Sequence, residues 1–477
     1  MRRWLLVAAG LAVIIAVVVA GRPWSDDDGS SAPPTTTPPS STSSPRTSPP
    51  AGQAPFVTSV SSDGRSFRDQ HGDPILVRGD SPWSLLTDLS AEEAQSYLAD
   101  REERGVNAVI VSLLGSVANG GPSDDGATVD GVAPFVEGGG LTEWNDEYWQ
   151  RARAVVRSAE EHGITVLLYP VDSWTIDSSL VPRDVEECTS YGRRVAEHFA
   201  GAPNVLWMAG GDYLPERTTG TDIDRCVEGV LTGIRATGDG RPFAMQLGSA
   251  EPMTTTDQPF WRDRVDWNFV YTYGPTYESV ERAYRYDPPI PTIFGEGNYE
   301  RENNTGDEET TNETLRRQTA WALTSGAAGD FYGSDDWQFL PEWRSRLDSP
   351  GLADVGHVRD AVAALPWWQL VPDLTGDFLT GGRGEPVTRE SRTQDVLAND
   401  HATAAVAPDG AAAVVYVPTS RTVTIDTDAL ADGVQATWVD PSSGRERPTD
   451  VRRSYRTPGE NADGDEDWLL VFATPGD

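Results

Sequence analysis

The chain opens with the basic Met1-Arg2-Arg3, an uncharged apolar run from Trp4 to Ala20, and the acidic triplet Asp26-Asp27-Asp28. Positive charge before an apolar run and negative charge after it directs the following chain out of the cytoplasm. The run is long for the apolar part of a signal peptide and short for a full bilayer span. Residues 1–24 therefore read as a cleaved signal or a retained membrane anchor, and both imply export. From Ser30 to Pro50 every residue is Ser, Thr or Pro except Ala32 and Arg46. Such a segment buries no core, so residues 25–55 read as an extended linker or stalk.

Beyond it the apolar pattern changes period. Phe56–Val60 and Pro74–Arg78 alternate as strands, with the turn pair Asp63-Gly64 between them. Ser90-Ala91-Glu92-Glu93 has the form of a capping box opening a helix to about Arg104. Short apolar runs then alternate with helical stretches. Strands are expected at Val106–Leu113, Ile164–Tyr169, Asn204–Met208, Pro242–Leu247, Phe269–Tyr273, Thr292–Gly295 and Asp330–Tyr332. Helices are expected at Trp144–His162, Arg183–Phe199, Asp222–Ala236, Tyr277–Tyr286, Asn312–Ser325 and Leu352–Leu365. Eight β–α alternations predict an α/β fold, a (β/α)₈ TIM-type barrel over residues 56–375. A doubly wound open sheet is the competing arrangement, but no Gly-x-Gly-x-x-Gly follows the first strand. After Trp367-Trp368 the helical signal stops. Short strands separated by Asp-Gly, Pro and Ser-Gly turns predict a C-terminal all-β sandwich over residues 376–477.

Charge narrows the function. Asp and Glu number 74 against 38 basic residues, a net charge of −36. This argues against nucleic acid, which requires a basic face, and against docking on anionic lipid. Every basic residue is Arg, which excludes a lysine nucleophile, a Schiff base and a phosphate-binding lysine. The two cysteines, Cys188 and Cys226, fall on the helices flanking the fourth strand, where outer barrel helices approach within bridging distance. A disulfide between them suits an exported chain. The five histidines are scattered without metal-binding spacing, so no metal and no cofactor are expected.

In a barrel the C-terminal strand ends line the active site. They deliver Asp80, Ser81 and Trp83 from the first strand, and Ser112 with the nearby Asn119 from the second. The third gives Tyr169, Asp172 and Trp174, and the fourth Asp212. Gln246 comes from the fifth, and Tyr271 and Tyr273 from the sixth. The seventh gives Glu296, Asn298, Tyr299 and Glu300, and the eighth Tyr332, Asp335, Asp336 and Trp337. Carboxylates among aromatics and amides suit sugar chemistry, because C–H faces stack on rings while polar groups bond hydroxyls. Glycosidic hydrolysis needs two carboxyl groups, one protonated and one ionised. Asp212 and Glu296 stand at opposed strand ends. Asp80, Trp83, Tyr169, Asp172, Gln246, Tyr271, Asn298, Tyr299 and Trp337 are the expected sugar contacts. Glu300 competes for the nucleophile role, with Asp335 behind it. The run Asp463-Gly464-Asp465-Glu466-Asp467 lacks calcium-loop spacing and reads as a solvated acidic loop.

Several motifs carry a resemblance. Gly79-Asp80-Ser81-Pro82-Trp83, Leu206-Trp207-Met208-Ala209-Gly210-Gly211-Asp212, Phe294-Gly295-Glu296-Gly297-Asn298-Tyr299-Glu300 and Ala327-Ala328-Gly329-Asp330-Phe331-Tyr332-Gly333 resemble the apiosidase-like glycoside hydrolases. The tail, with Trp438-Val439-Asp440-Pro441 and Asp467-Trp468-Leu469-Leu470-Val471, resembles the β-sandwich labelled as collagen-binding that follows this barrel. The resemblance implies a retaining mechanism, with Asp212 as acid/base and Glu296 as nucleophile. It implies an oligo- or polysaccharide substrate of plant or bacterial walls, with a furanosidic bond; a monomer is expected. The departures are Tyr213, where relatives commonly carry an acidic residue, and the acidic Asp335-Asp336. The competing class is a non-catalytic cell-surface protein that binds glycans or serves adhesion.

Overall fold

The structure, a computed structural model, describes residues 54–172, 184–213, 222–249, 254–304, 308–388 and 395–474. The N-terminal apolar run, most of the Ser/Thr/Pro linker and Trp174 lie outside the described residues. Among the described residues no helix is long and apolar enough to cross a membrane.

Eight parallel strands form the barrel: β1 (Val77–Asp80), β2 (Ala108–Ser112), β3 (Thr165–Tyr169), β4 (Val205–Tyr213), β5 (Phe243–Leu247), β6 (Asn268–Tyr271), β7 (Thr292–Glu296) and β8 (Gly329–Tyr332). The ladder runs β5-β4-β3-β2-β1-β8-β7-β6. Among the described residues seven longer helices clothe it: α1 (Ala91–Glu103), α2 (Asp146–Glu161), α3 (Val185–His198), α4 (Asp222–Ala236), α5 (Thr276–Tyr284), α6 (Asn312–Thr324) and α7 (Pro350–Ala363). The capping box forms as its spacing predicts. Ser90 accepts from the Glu93 amide, and Glu93 accepts from the Ser90 amide.

The seam lies between β5 and β6, where a 3₁₀ turn (Thr255–Asp257) stands among the described residues in place of a helix. Thr255 closes the gap. Its hydroxyl donates to the Met245 carbonyl at 2.6 Å and accepts from the Phe269 amide at 3.2 Å, bridging the two strands as a ladder bond would. The bottom of the barrel is plugged by a small antiparallel sheet of Ser59–Val60, Phe67–Arg68 and Pro74–Ile75. Phe67 meets the buried Trp267 edge-on there, with ring centroids 5.9 Å apart.

Helices α3 and α4 pack closely because glycine lets them. A Cβ on Gly192 would lie 2.0 Å from the Val230 carbonyl oxygen, and one on Gly233 as close to that of Thr189. At this separation Cys188 on α3 is bonded to Cys226 on α4, with Cα atoms 5.3 Å apart.

The C-terminal part is two antiparallel sheets. One holds the strands Val371–Pro372, Thr403–Val406, Ala412–Val417, Trp468–Ala473, Gln435–Val439 and Glu446–Thr449. The other holds Leu379–Gly381, Thr422–Ile425 and Ser454–Arg456. The larger sheet packs on α6 and α7, with Trp321, Val358, Val362, Val414, Tyr416 and Leu469 in one apolar cluster. The acidic loop is solvated only in part: Asp463, Gly464 and Glu466 are exposed, while Asp465 and Asp467 turn inward. Asp465 and Asp467 bind the guanidinium of Arg316 on α6 at 2.6 and 2.8 Å, and Asp354 on α7 binds it at 2.8 Å. Burial of Arg316 demands several anionic partners, and the loop supplies them across the joint.

Candidate active site

Asp212 owes its place to a break in β4. The register between β4 and β5 shifts between Ala209 and Tyr213. Gly210, Gly211 and Asp212 take φ of 107°, 68° and 57°, all in the left-handed half of the map. A Cβ on Gly210 would strike the Gln246 carbonyl oxygen at 2.0 Å, so the close approach to β5 requires glycine. The turn puts the Asp212 side chain on the wall of a cavity of about 130 Å³, together with Glu296 at the end of β7. Trp83, Gln246, Tyr271, Tyr299 and Trp337 also line it.

Glu296 is held by fixed donors. The Tyr169 hydroxyl donates to Gln246 Oε1 at 2.6 Å, which orients the amide so that its Nε2 donates to Glu296. The Trp83 indole donates to the Tyr299 hydroxyl at 2.9 Å, and Tyr299 in turn hydrogen-bonds Glu296. An indole N–H is only a donor, so the Tyr299 proton is free to point at the carboxylate. Burial, then the charge of Asp212, push Glu296 well above the usual carboxylate range, and the Tyr299 and Gln246 bonds oppose them. Asp212 is pushed up to about 6, chiefly by burial and further by the charge of Asp172, against a hydrogen bond from Tyr271. The charge of Asp212 bears on the proton of Glu296, and each acid keeps a hydrogen-bond donor that opposes its rise, Tyr271 on Asp212 and Tyr299 with Gln246 on Glu296.

Four residues expected on the sugar stand behind the wall instead. Asp80 is 2 % exposed, and its carboxylate accepts from Tyr97 at 2.5 Å, Arg101 at 3.3 Å and the Ser81 amide at 2.8 Å. It ties β1 to α1. Asp172, equally buried, accepts from Ser112 and Asn119, both at 2.7 Å, and lies against Gly211. Tyr169 is spent on Gln246 and packs on Trp83 with centroids 4.9 Å apart. Asn298 donates to the Tyr273 carbonyl at 2.7 Å and to Gln318 at 3.0 Å, fixing the chain after β7. Glu300, the competing nucleophile, is turned away from the cavity and accepts from Tyr332, Ser349 and the Gly351 amide. Asp335 pairs with Arg301 at 2.6 Å.

The cavity wall also holds Tyr273, Asn119, Glu302 and Asn304, which are not among the sugar contacts expected from the sequence. Tyr273 and Asn119 stand at or just past strand ends, where the barrel rule applies. Glu302 and Asn304 lie in the loop after β7, where no periodicity marks them.

The profile of the apiosidase-like catalytic domain matches residues 61–369, and one named for the collagen-binding domain of a collagenase matches residues 392–473. Among solved structures, a glycoside hydrolase family 5 protein from Bacteroides vulgatus ATCC 8482 is similar at 21% identity and TM-score 0.74, covering 88% of this chain and 94% of that one. A second, titled simply glycoside hydrolase, is similar at 20% identity and TM-score 0.73, covering 88% of this chain and 98% of its own. At such identity both speak for the fold alone. No curated protein matches the chain significantly. The catalytic-domain profile spans more than half of the sequence, and the chain belongs to the apiosidase-like family of glycoside hydrolases.

Proposed function

We propose that this protein is an exported retaining glycosidase. It cleaves a furanosidic bond in plant or bacterial wall polysaccharide by double displacement. The observation that carries the mechanism is the pairing of Asp212 and Glu296 on one cavity wall, with Gln246 and Tyr299 hydrogen-bonding Glu296 as they would its ionised, attacking form. In the first step a Glu296 oxygen attacks the anomeric carbon. The glycosidic C–O bond breaks, its electron pair stays on the leaving oxygen, and that oxygen takes the Asp212 proton. The charge on Glu296 is then gone, so Asp212 becomes more acidic. In the second step Asp212 takes a proton from water, the water oxygen attacks the anomeric carbon, and Glu296 departs as carboxylate. Trp83 and Trp337 supply apolar faces for the ring, and Gln246 and the tyrosines supply polar edges.

The linkage and the wall polysaccharide follow from the family resemblance, and export follows from the N-terminal charge pattern. A screen of 4-nitrophenyl furanosides and wall polysaccharides, with NMR of the first-formed anomer, tests the reading. Retention is expected, with hydrolysis abolished by Glu296→Gln. Inversion, or wild-type-like kcat in that variant, overturns it.

A further inference from the structure

The cavity has a third carboxylate. Glu302 lies on its wall between Trp337 and Asn304, six residues past Glu296. Its Oε1 accepts from the Trp337 indole at 2.5 Å and its Oε2 from Asn304 Nδ2 at 2.9 Å. Neither donor can turn away. The Asn304 Oδ1 is engaged by the Tyr299 amide at 2.7 Å, which forces Nδ2 toward Glu302. Trp337 is pinned through its carbonyl, which accepts from the Ser84 hydroxyl at 2.6 Å. Gly120 backs the Trp337 ring, where an added Cβ would stand 3.0 Å from Cζ3. Among the described residues no arginine or histidine pairs with Glu302, whereas the neighbouring Arg301 is spent on Glu300, Asp335 and Asp336. A carboxylate offers about four acceptor positions, and the protein fills two here. The acetal bond that is cleaved gives Glu302 nothing to do, and its charge burdens Glu296 and Tyr273 by raising both.

We propose that Glu302 sets the charge selectivity of the site. Its open acceptor positions take hydroxyl protons from an uncharged sugar ring lying along Trp337, and its fixed negative charge turns away sugars that carry a carboxylate. The bound units are then neutral sugars rather than uronic acids. This inference rests on the hydrolase reading for its role, but it concerns binding and is tested without turnover.

Trp83 and Trp337 line the cavity, so ligand binding is read by tryptophan fluorescence at low salt and pH 7. The probes are matched sugars, galactose with galacturonate and glucose with glucuronate. The wild-type protein should bind the neutral member of at least one pair ten or more times more tightly than its uronate. In Glu302→Gln the neutral sugar should bind roughly three- to tenfold more weakly, and the preference should shrink to within about threefold, since one charged hydrogen bond and one repulsion are lost together. Trp337→Phe removes the indole donor but keeps the charge, so it should weaken binding and leave the preference intact. Equal binding of neutral sugar and uronate by the wild type, absence of binding by either neutral sugar, or a preference unchanged in Glu302→Gln would overturn the proposal. Failure of the hydrolase reading shows separately, as absence of turnover with binding selectivity preserved.

Discussion

Asp212→Asn should abolish hydrolysis and yet make the protein more stable above pH 6. The substitution is nearly isosteric. Asparagine tolerates the left-handed φ of 57° at least as well as aspartate, and its Oδ1 can still accept from Tyr271. What it removes is a charge that burial and Asp172 disfavour. The sign follows from linkage. The folded-state value, about 6, lies above the ordinary 3.8, so the folded protein binds more protons between those limits and loses stability as pH rises through them. A rise of that size corresponds to about 3 kcal/mol, reduced to about 2 kcal/mol because Asp212 is partly exposed to solvent. For a chain of this size the unfolding entropy is on the order of 1 kcal/mol/K, so Tm should rise by about 2 °C at pH 7.5. Close to pH 4 the two proteins should melt together, because both then carry a neutral side chain at this position. Paired thermal scans across that range, with hydrolysis followed on the same samples, decide the matter. A Tm difference that does not grow with pH, or a variant less stable than wild type at pH 7.5, would refute the argument that burial of a charge raises Asp212.

Asp172→Asn should shift the alkaline limb of the kcat/KM profile to lower pH, because the like charge that helps keep Asp212 protonated is gone; an unmoved limb in a folded variant would remove Asp172 from the electrostatics of the site. Gly210→Ala should cost about 3 kcal/mol or more, read by denaturant unfolding, because the new methyl meets the Gln246 carbonyl and φ is 107° there. A cost near zero would mean that the β4 turn is not held by β5. Arg316→Met should destabilise by about 3–5 kcal/mol, since it leaves the buried Asp354 and Asp467 and the half-buried Asp465 without their cation. That loss should be larger at pH 8 than at pH 5, because Asp354, already pushed up to about 7 by burial, takes up a proton as pH falls, and equal losses at the two pH values would refute it.

The barrel was legible because its strands are short continuous apolar runs buried on both faces, set between helices with polar outer sides. Each fold element that the pattern does not reveal depends on contacts distant in sequence. Ile75-Leu76-Val77 reads as one strand, yet Pro74–Ile75 belongs to the sheet that plugs the barrel floor and Val77 starts β1. The apolar pattern is the same on both sides of that division, so nothing local marks it. Thr255 closes the β5–β6 seam through two hydrogen bonds to separate strands, a role visible only once the barrel curves round to bring them together. The acidic loop reads as solvated because five residues of its own sequence carry four carboxylates. Its cation, Arg316, comes from a helix some 150 residues earlier.

The site shows the same division between position and depth. The strand-end rule assigns a residue to a place on the ring of the barrel mouth, and for Asp212, Glu296, Gln246 and Trp337 that place faces the cavity. The rule does not say whether donors wait beneath. Asp80 occupies a strand end as fully as Glu296 does, but Tyr97 and Arg101 stand one helical turn apart on α1 and draw its carboxylate down into the wall. Asp172 is drawn down likewise by Ser112 and Asn119. A polar pair at helical spacing on the buried face of α1 is a signal that was present in the sequence, because buried polar groups need partners and the nearest acid is the one they will take. Applied with that test, the strand-end rule separates the acids that face the cavity from those that hold the frame. Asp172 then acquires a use that its position alone did not suggest: buried behind Gly211, its charge adds to the burial that raises Asp212.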